Sequence, residues 1–363
     1  MKNKYKICVY AISKNEEKFV KRWYESMKEA DEIYVLDTGS TDNTVNILKS
    51  LNVKVIEKEI KPWRFDVARN ESLNLLPKDT DICICTDLDE VFNPGWRNEL
   101  ESAWKPNTTR IRYNYNWHIN ELGIPDVSFY LDKIHKRTGY SWYHPVHEVL
   151  TTNEEEVFIN VDKITLNHYP DKEKSRSSYL PLLELSVKED PTDDRNMHYL
   201  GREYMYYKRY NEAIDTLIKH LNLKKATWHD ERAASMRYIA RCYTEMNRFE
   251  EAKMWLKKAI TEAPYLRDAY IELSLLLLKL NEYNNVIKYT KKALSIKKHE
   301  KTYINEIFSW NYTPYDLISV SYFYLHEYDK SYMYSQMALF LEPNNERLIK
   351  NNELIKKYLT MVK

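Results

Sequence analysis

The chain has 363 residues, 43% hydrophobic and 30% charged, and its 55 basic and 54 acidic residues leave a net charge of +1. Its 5 glycines, Gly39, Gly95, Gly123, Gly139 and Gly201, lie far apart. That excludes the G-x-G-x-x-G turn, the G-x-x-x-x-G-K-[ST] phosphate loop and the G-x-S-x-G elbow, and the near-zero charge gives no indication of nucleic acid.

The length suggests two domains. No apolar run approaches the ~20 residues that span a bilayer, so no membrane span is expected. The basic start, Met1 to Lys6, precedes an apolar stretch too short for a signal peptide. Cys8, Cys83, Cys85 and Cys242 form no C-x-x-C pair. Reduced, buried thiols and a cytoplasmic location are the expectation.

In chain order, Lys6 to Ile12 predicts a strand. Glu16 to Ala30 predicts a helix with Phe19, Val20, Trp23 and Met27 on one stripe. Glu32 to Leu36 is a second strand, Thr41 to Leu51 a helix capped by Thr41 or Asp42, and Val53 to Glu57 a third strand. A helix over Asp66 to Leu76 and a strand over Asp81 to Cys85 complete the series. This alternation predicts an α/β domain with a mainly parallel, Rossmann-like sheet, whose ligands sit beyond the carboxyl ends of its strands.

From about residue 175 the strand pattern ends and helix pairs begin. Tyr210 with Ala213, Phe249 with Ala252, Tyr283 with Val286, and Tyr328 with Ser331 repeat an aromatic-x-x-small signature. Alanines and prolines recur downstream at Ala259, Ala293, Ala338, Pro264 and Pro343. The pattern resembles the tetratricopeptide repeat, whose unit is about 34 residues. The expected division is therefore 1–174 for the α/β domain and 175–363 for an all-α repeat domain.

Three segments carry candidate chemistry. In Asp81-Ile-Cys-Ile-Cys-Thr-Asp87-Leu-Asp89-Glu90 an apolar strand runs into acids. If the segment is extended, Asp87 and Asp89 face the same way, and paired hard oxygens suit Mg²⁺ or Mn²⁺ with a diphosphate completing the shell. Asp37, ending the second strand, could bind a ribose or base, while Ser40 to Thr44 cap the next helix. In Arg64-Phe-Asp66-Val-Ala-Arg69-Asn70, Asp66 could cap, and Arg69 and Asn70 supply donors toward a nucleotide.

Together with Val9-Tyr-Ala-Ile-Ser-Lys14-Asn15-Glu16-Glu17, these segments resemble the family 2 glycosyltransferases of GT-A fold. The likeness covers residues 6 to about 170. With the appended repeats, the chain is similar to the subgroup that includes the sublancin-type peptide S-glycosyltransferases. The resemblance implies a nucleotide-diphospho-sugar donor, most often UDP-linked, and inversion at the anomeric carbon. Asp37, Ala11 and Asn15 would contact the uridine, with Arg69 and Asn70 nearby. Asp87 and Asp89 would bracket the metal and diphosphate, with His168 as a third metal or phosphate ligand.

An inverting displacement needs a general base, for which Asp126, Asp132 and Glu148 are the candidates. Glu148, in the aromatic segment Trp142-Tyr-His144-Pro-Val-His147-Glu148, is favoured. Lys136 and Arg137 could also reach a phosphate. Asn114, Tyr115, Trp117 and His118 fall where the acceptor side is expected.

The repeats would select a peptide, protein or glycan acceptor, or pair two copies into a homodimer. A hydroxymethylated DNA base is a further acceptor if the gene is phage-borne. A nucleotidyltransferase would share the acid pair but carry a glycine-rich loop after its first strand, which Ala11 to Glu17 lacks. A non-catalytic binding protein would have lost the strand-end acids, all of which are present.

Overall fold

The computed structural model describes residues 4–120, 123–171, 173, 177–299 and 302–362. Its contacts divide the chain into two units, Met1–Ser186 with Lys301–Tyr303, and Val187–Glu300 with Ile304–Lys363.

The first unit opens with β1 (Ile7–Ser13), α1 (Glu17–Met27), β2 (Glu32–Asp37), α2 (Thr44–Ser50), β3 (Lys54–Glu57), α3 (Phe65–Asn74) and β4 (Ile82–Cys85). β5 (Glu90–Phe92), α4 (Trp96–Ala103), β6 (Arg110–Ile119), β7 (Pro125–Lys136), β8 (Tyr140–Tyr143), β9 (Val149–Thr152) and β10 (Phe158–His168) follow. Eight strands form one sheet in the order β3-β2-β1-β4-β7-β6-β10-β5, and β8 pairs β9 separately.

The half built from β1 to β4 is parallel, as the alternation predicts. The other half is mixed, because β7 returns from β6 as a hairpin and inserts beside β4. β6 and β10 run parallel to each other, and β5 lies antiparallel at the edge. Through these pairings β1, β2, β3, β4, β6 and β10 all point their carboxyl ends at the same edge.

Strand alternation sorts the core onto two faces. Val9, Ala11, Val35 and Ile84 pack with Phe19, Val20, Trp23 and Met27 of α1, Leu48 of α2 and Trp96 of α4. Those four α1 residues are the helix's buried positions, matching the predicted stripe. On the opposite face Cys8, Tyr10, Tyr34, Cys83 and Cys85 meet Leu73 of α3 and Trp142 and Leu150 of the β8–β9 hairpin. All four cysteines are free and buried, and burial pushes the Cys85 thiol up to about 11.

α5 (Tyr179–Glu189) spans the division between the units. The second unit pairs α6 (Asp194–Tyr206) with α7 (Tyr210–Asn222), α8 (His229–Glu245) with α9 (Phe249–Glu262), and α10 (Asp268–Lys279) with α11 (Tyr283–Ser295). It closes with α12 (Thr313–Tyr324), α13 (Tyr328–Leu341) and α14 (Glu346–Val362). Each signature aromatic is the first residue of the second helix of its pair. The small residues Ala213, Ala252, Val286 and Ser331 are all fully buried, which lets the paired helices approach. At Gly201 an added Cβ would lie 2.5 Å from Cγ of Leu217, so this helix crossing requires glycine.

Two residues before each aromatic, Lys208, Asn247, Asn281 and His326 adopt left-handed backbone with φ of 60°, 58°, 59° and 62°. Each turn repeats one hydrogen-bond pattern. In the first, the N–H of Lys208 donates to the Met205 carbonyl and the N–H of Arg209 to that of Tyr204. This is the helix ending that usually employs glycine, here made by side-chain-bearing residues at a steric cost. Lys208→Gly is therefore expected to stabilise the repeats by about 0.5–1 kcal/mol, read as a higher urea midpoint at unchanged m-value.

Each unit also holds a neutral, buried histidine. His135 on β7 donates from Nδ1 to the Lys136 carbonyl, and its Nε2 lies 2.9 Å from the Tyr10 hydroxyl. His198 reaches the Ser235 hydroxyl at 2.7 Å, which in turn meets Nδ1 of His220 at 2.9 Å. Burial pushes both His135 and His198 down to about 3. The unfolded chain takes up these protons near pH 6.5 while the native state refuses them. Their stabilisation is thus complete above about pH 6.5 and lost as pH falls toward 3. Each histidine is expected to cost about 2 kcal/mol at pH 5 relative to pH 7, seen as a lower denaturation midpoint.

Candidate active site at the carboxyl edge of the sheet

The loops that follow β1 and β2 cap each other's helices. The N–H of Asn15 donates to Ser40 Oγ, and the N–H of Thr41 to Asn15 Oδ1. The N–H of Glu16 donates to Thr44 Oγ1, that of Glu17 to Asp42, and that of Asn43 to Glu17 Oε2. Asp42 accepts from the N–H of Thr44, but the helix starts at Thr44 with Asn43 as its N-cap, so neither Thr41 nor Asp42 holds the expected cap position.

Asp37 lies beneath this junction, 2% exposed. Oδ1 accepts from the N–H groups of Gly39 and Ser40, and Oδ2 from the hydroxyls of Ser13 and Ser40. Four bonds fill a carboxylate's acceptor capacity. Asp37 and Asn15 therefore shape the loops in this structure, and the Ala11 side chain sits in the apolar core.

The acids after β4 do not continue as an extended strand. The N–H of Glu90 donates to the Asp87 carbonyl at 3.0 Å, closing a turn over Leu88 and Asp89. This corrects the expectation that Asp87 and Asp89 face one way, since the two carboxylates take different partners. Asp87 Oδ1 lies 2.6 Å from the Arg69 guanidinium, and Oδ2 lies 3.5 Å from Lys133 Nζ. Asp89 Oδ2 lies 3.4 Å from Nε2 of His168, the last residue of β10.

Asp87 keeps some contact with water, but the charged groups around it are largely buried. The Arg69 side chain is 4% exposed and donates from Nε to Glu148 Oε1 at 2.9 Å. Burial opposes its charge, but Asp87, Cys85 and Glu148 outweigh burial and hold it protonated. Lys133 is likewise kept charged against burial by Glu90 and Asp87. Glu90 accepts from the Tyr115 hydroxyl and from the N–H of Asp87. Burial raises its pKa, with Asp87 and Asp89 adding to the shift.

His144 and His147 both adopt left-handed backbone in the turn that carries Glu148 to Arg69. Asn70 bonds the Trp142 backbone twice, tying α3 to β8, which is a scaffold role.

His168 donates from Nδ1 to the Trp117 carbonyl, and its ring stacks on Trp117 at 4.5 Å and 18°. Burial lowers its proton affinity, but Asp89 raises it further, so the net shift is upward. Asp126 stands apart from the Arg69 cluster and meets His118 at 2.5 Å. Asp132 lies 3.8 Å from Arg110, and Lys136 pairs with Glu154.

Lys133 and Glu90 belong to this site and were not singled out from the sequence. Glu90 adjoins the acid pair. Lys133 has no local signal, since only the pairing of β4 with β7 brings it beside Asp87.

The glycosyl transferase family 2 model matches residues 8–151, which contain the strand-end acids, Arg69 and Glu148. The N-terminal domain is a family 2 glycosyltransferase domain. Tetratricopeptide repeat models match residues 239–265 and 268–300. An uncharacterized glycosyltransferase of Rickettsia bellii is 36% identical over 97 residues, 26% of this chain and 32% of that protein. The chain thus spans about a third of the length of that relative. The SPbeta prophage-derived glycosyltransferase SunS of Bacillus subtilis is 25% identical over 298 residues, 75% of this chain and 68% of SunS. Among solved structures, MamA aligns with 49% of this chain and 99% of its own at 22% identity and a TM-score of 0.39. No helix among the described residues is long and apolar enough to cross a membrane.

Proposed function

We propose that this protein transfers a sugar from a nucleotide-diphospho-sugar, UDP-linked, to a peptide side chain or glycan, with Mn²⁺ or Mg²⁺ as the metal. The glycosyltransferase domain and the similarity to SunS support the reaction class. The observation that carries the metal is the charge balance at the carboxyl edge. Asp87, Glu90 and Glu148 face two cations, Arg69 and Lys133, and Asp89 meets His168. With His168 neutral, as a metal ligand would be, acid is in excess of Arg69 and Lys133, so a bare diphosphate would be repelled and a divalent cation reconciles the charges.

The donor set fits such an ion. A carboxylate oxygen of Asp89 and an imidazole nitrogen of His168 stand side by side. Among the described residues no three His, Cys, Asp or Glu side chains form a closed metal cage. Asp89 and His168 would hold the ion, diphosphate oxygens would complete its shell, and it would neutralise charge on the departing diphosphate. Arg69 and Lys133 hold the Asp87 carboxylate in place. The exposed face of Trp117, stacked behind by His168, offers a platform for a sugar ring. The tetratricopeptide repeats would select the acceptor or pair two copies of the chain.

Calorimetry with UDP tests the proposal. Binding should be strong with Mn²⁺ and weak in EDTA, whereas equal affinity in both would contradict the metal role.

A further inference from the structure

We propose that His118, held by Asp126, is the base that takes the acceptor's proton. This rests on the glycosyl-transfer reading above. Three observations carry it. First, β6 is parallel to β4 and β10, so His118 near its end lies at the same sheet edge as Asp87 and His168. Second, the β6–β7 register shifts between Asn116 and His118 and again between His118 and Ile119. Such irregularities re-aim side chains and are enriched beside active sites. Third, His118 Nδ1 lies 2.5 Å from Asp126 Oδ1, while the imidazole remains 49% exposed.

A carboxylate at Nδ1 takes the N–H there and leaves the Nε2 lone pair free. The adjoining Trp117 stacks on His168, which reaches Asp89. His118 is thus next in the chain to the ring that backs the candidate metal ligand.

The other candidates are less suited. Glu148 is 11% exposed and bonded by Arg69, which blocks its approach to an acceptor. Asp132 lies on the central stretch of β7 beside Arg110, away from the strand ends.

The acceptor X–H, a hydroxyl or thiol, gives its proton to His118 Nε2 as X bonds the anomeric carbon. The bond from that carbon to the diphosphate oxygen breaks, and its electron pair leaves on the nucleoside diphosphate. The imidazolium faces Asp126, a positioning residue, and returns the proton to water.

The test uses the full chain, water as acceptor, Mn²⁺, and UDP-glucose, UDP-N-acetylglucosamine and UDP-galactose as probes. Wild type should release UDP from at least one. His118→Ala should lower kcat about 100-fold or more, bind UDP within about twofold of wild type, and regain activity with added imidazole. Asp126→Asn should lower kcat with KM unchanged. UDP release by His118→Ala within threefold of wild type would overturn the proposal, as would a loss that imidazole does not restore. No UDP release by folded wild type from any probe would instead overturn the glycosyl-transfer reading, and this proposal with it.

Discussion

Asp89→Ala is expected to weaken Mn²⁺-dependent UDP binding about 100-fold or more, equivalent to about 2.7 kcal/mol or more, and to abolish sugar transfer. Among the described contacts, the Asp89 carboxylate meets His168 alone, and its backbone carbonyl still accepts from the N–H of Tyr169. The fold should therefore survive. The pH signature is specific. His168 has a raised pKa in the native state because Asp89 outweighs burial. The stability from that pair is present below the unfolded imidazole pKa and is lost as pH rises through the native value. Wild type should exceed Asp89→Ala in melting temperature near pH 5 more than near pH 8. An equal gap at both pH values, or unchanged UDP affinity, would count against the assignment.

Arg69→Met should be the most destabilising single change at the site, by about 3–5 kcal/mol. Arg69 and Glu148 are both nearly buried, and methionine would leave Glu148 with its negative charge and no cation beside it. Asp87, 35% exposed, gains some water and retains Lys133, so it contributes less to the loss. Arg69→Lys should recover only part, because one ammonium cannot reproduce the guanidinium fork between two carboxylates. Pairing Arg69→Met with Glu148→Gln should cost less than the sum of the single changes. Chemical denaturation of the four proteins measures this coupling, and strict additivity would show that the two side chains do not act as a pair.

How far the sequence reached depends on how local each signal is. The α1 stripe, the first four strands and the repeat aromatics follow from spacing within a few residues, and each lies near where the pattern places it. The β6 strand carries an equally local signal, with Ile111, Tyr113, Tyr115 and Trp117 alternating with Arg110, Arg112, Asn114 and Asn116. Its polar half obscures it, because Arg110, Arg112, Asn114 and Asn116 interrupt the apolar run at every second position.

At the site, the acids after β4 were legible as residue types, but their geometry was not. The turn over Leu88 and Asp89 sends Asp87 to Arg69 and Asp89 to His168. Lys133 and His118 become relevant only through strand pairing, β7 against β4 and the irregular β6–β7 register. Asp37 shows the opposite case. A strand-end acid that reads as a nucleotide contact is consumed by the turn it begins.

The most direct measurement is UDP release by the full chain from UDP-glucose, UDP-N-acetylglucosamine and UDP-galactose, with Mn²⁺ and then with EDTA. Release from at least one donor, lost in EDTA and in Asp89→Ala, is the predicted result. Folded protein that releases UDP from none of them, or releases it equally well in EDTA, would contradict a metal-dependent glycosyltransferase.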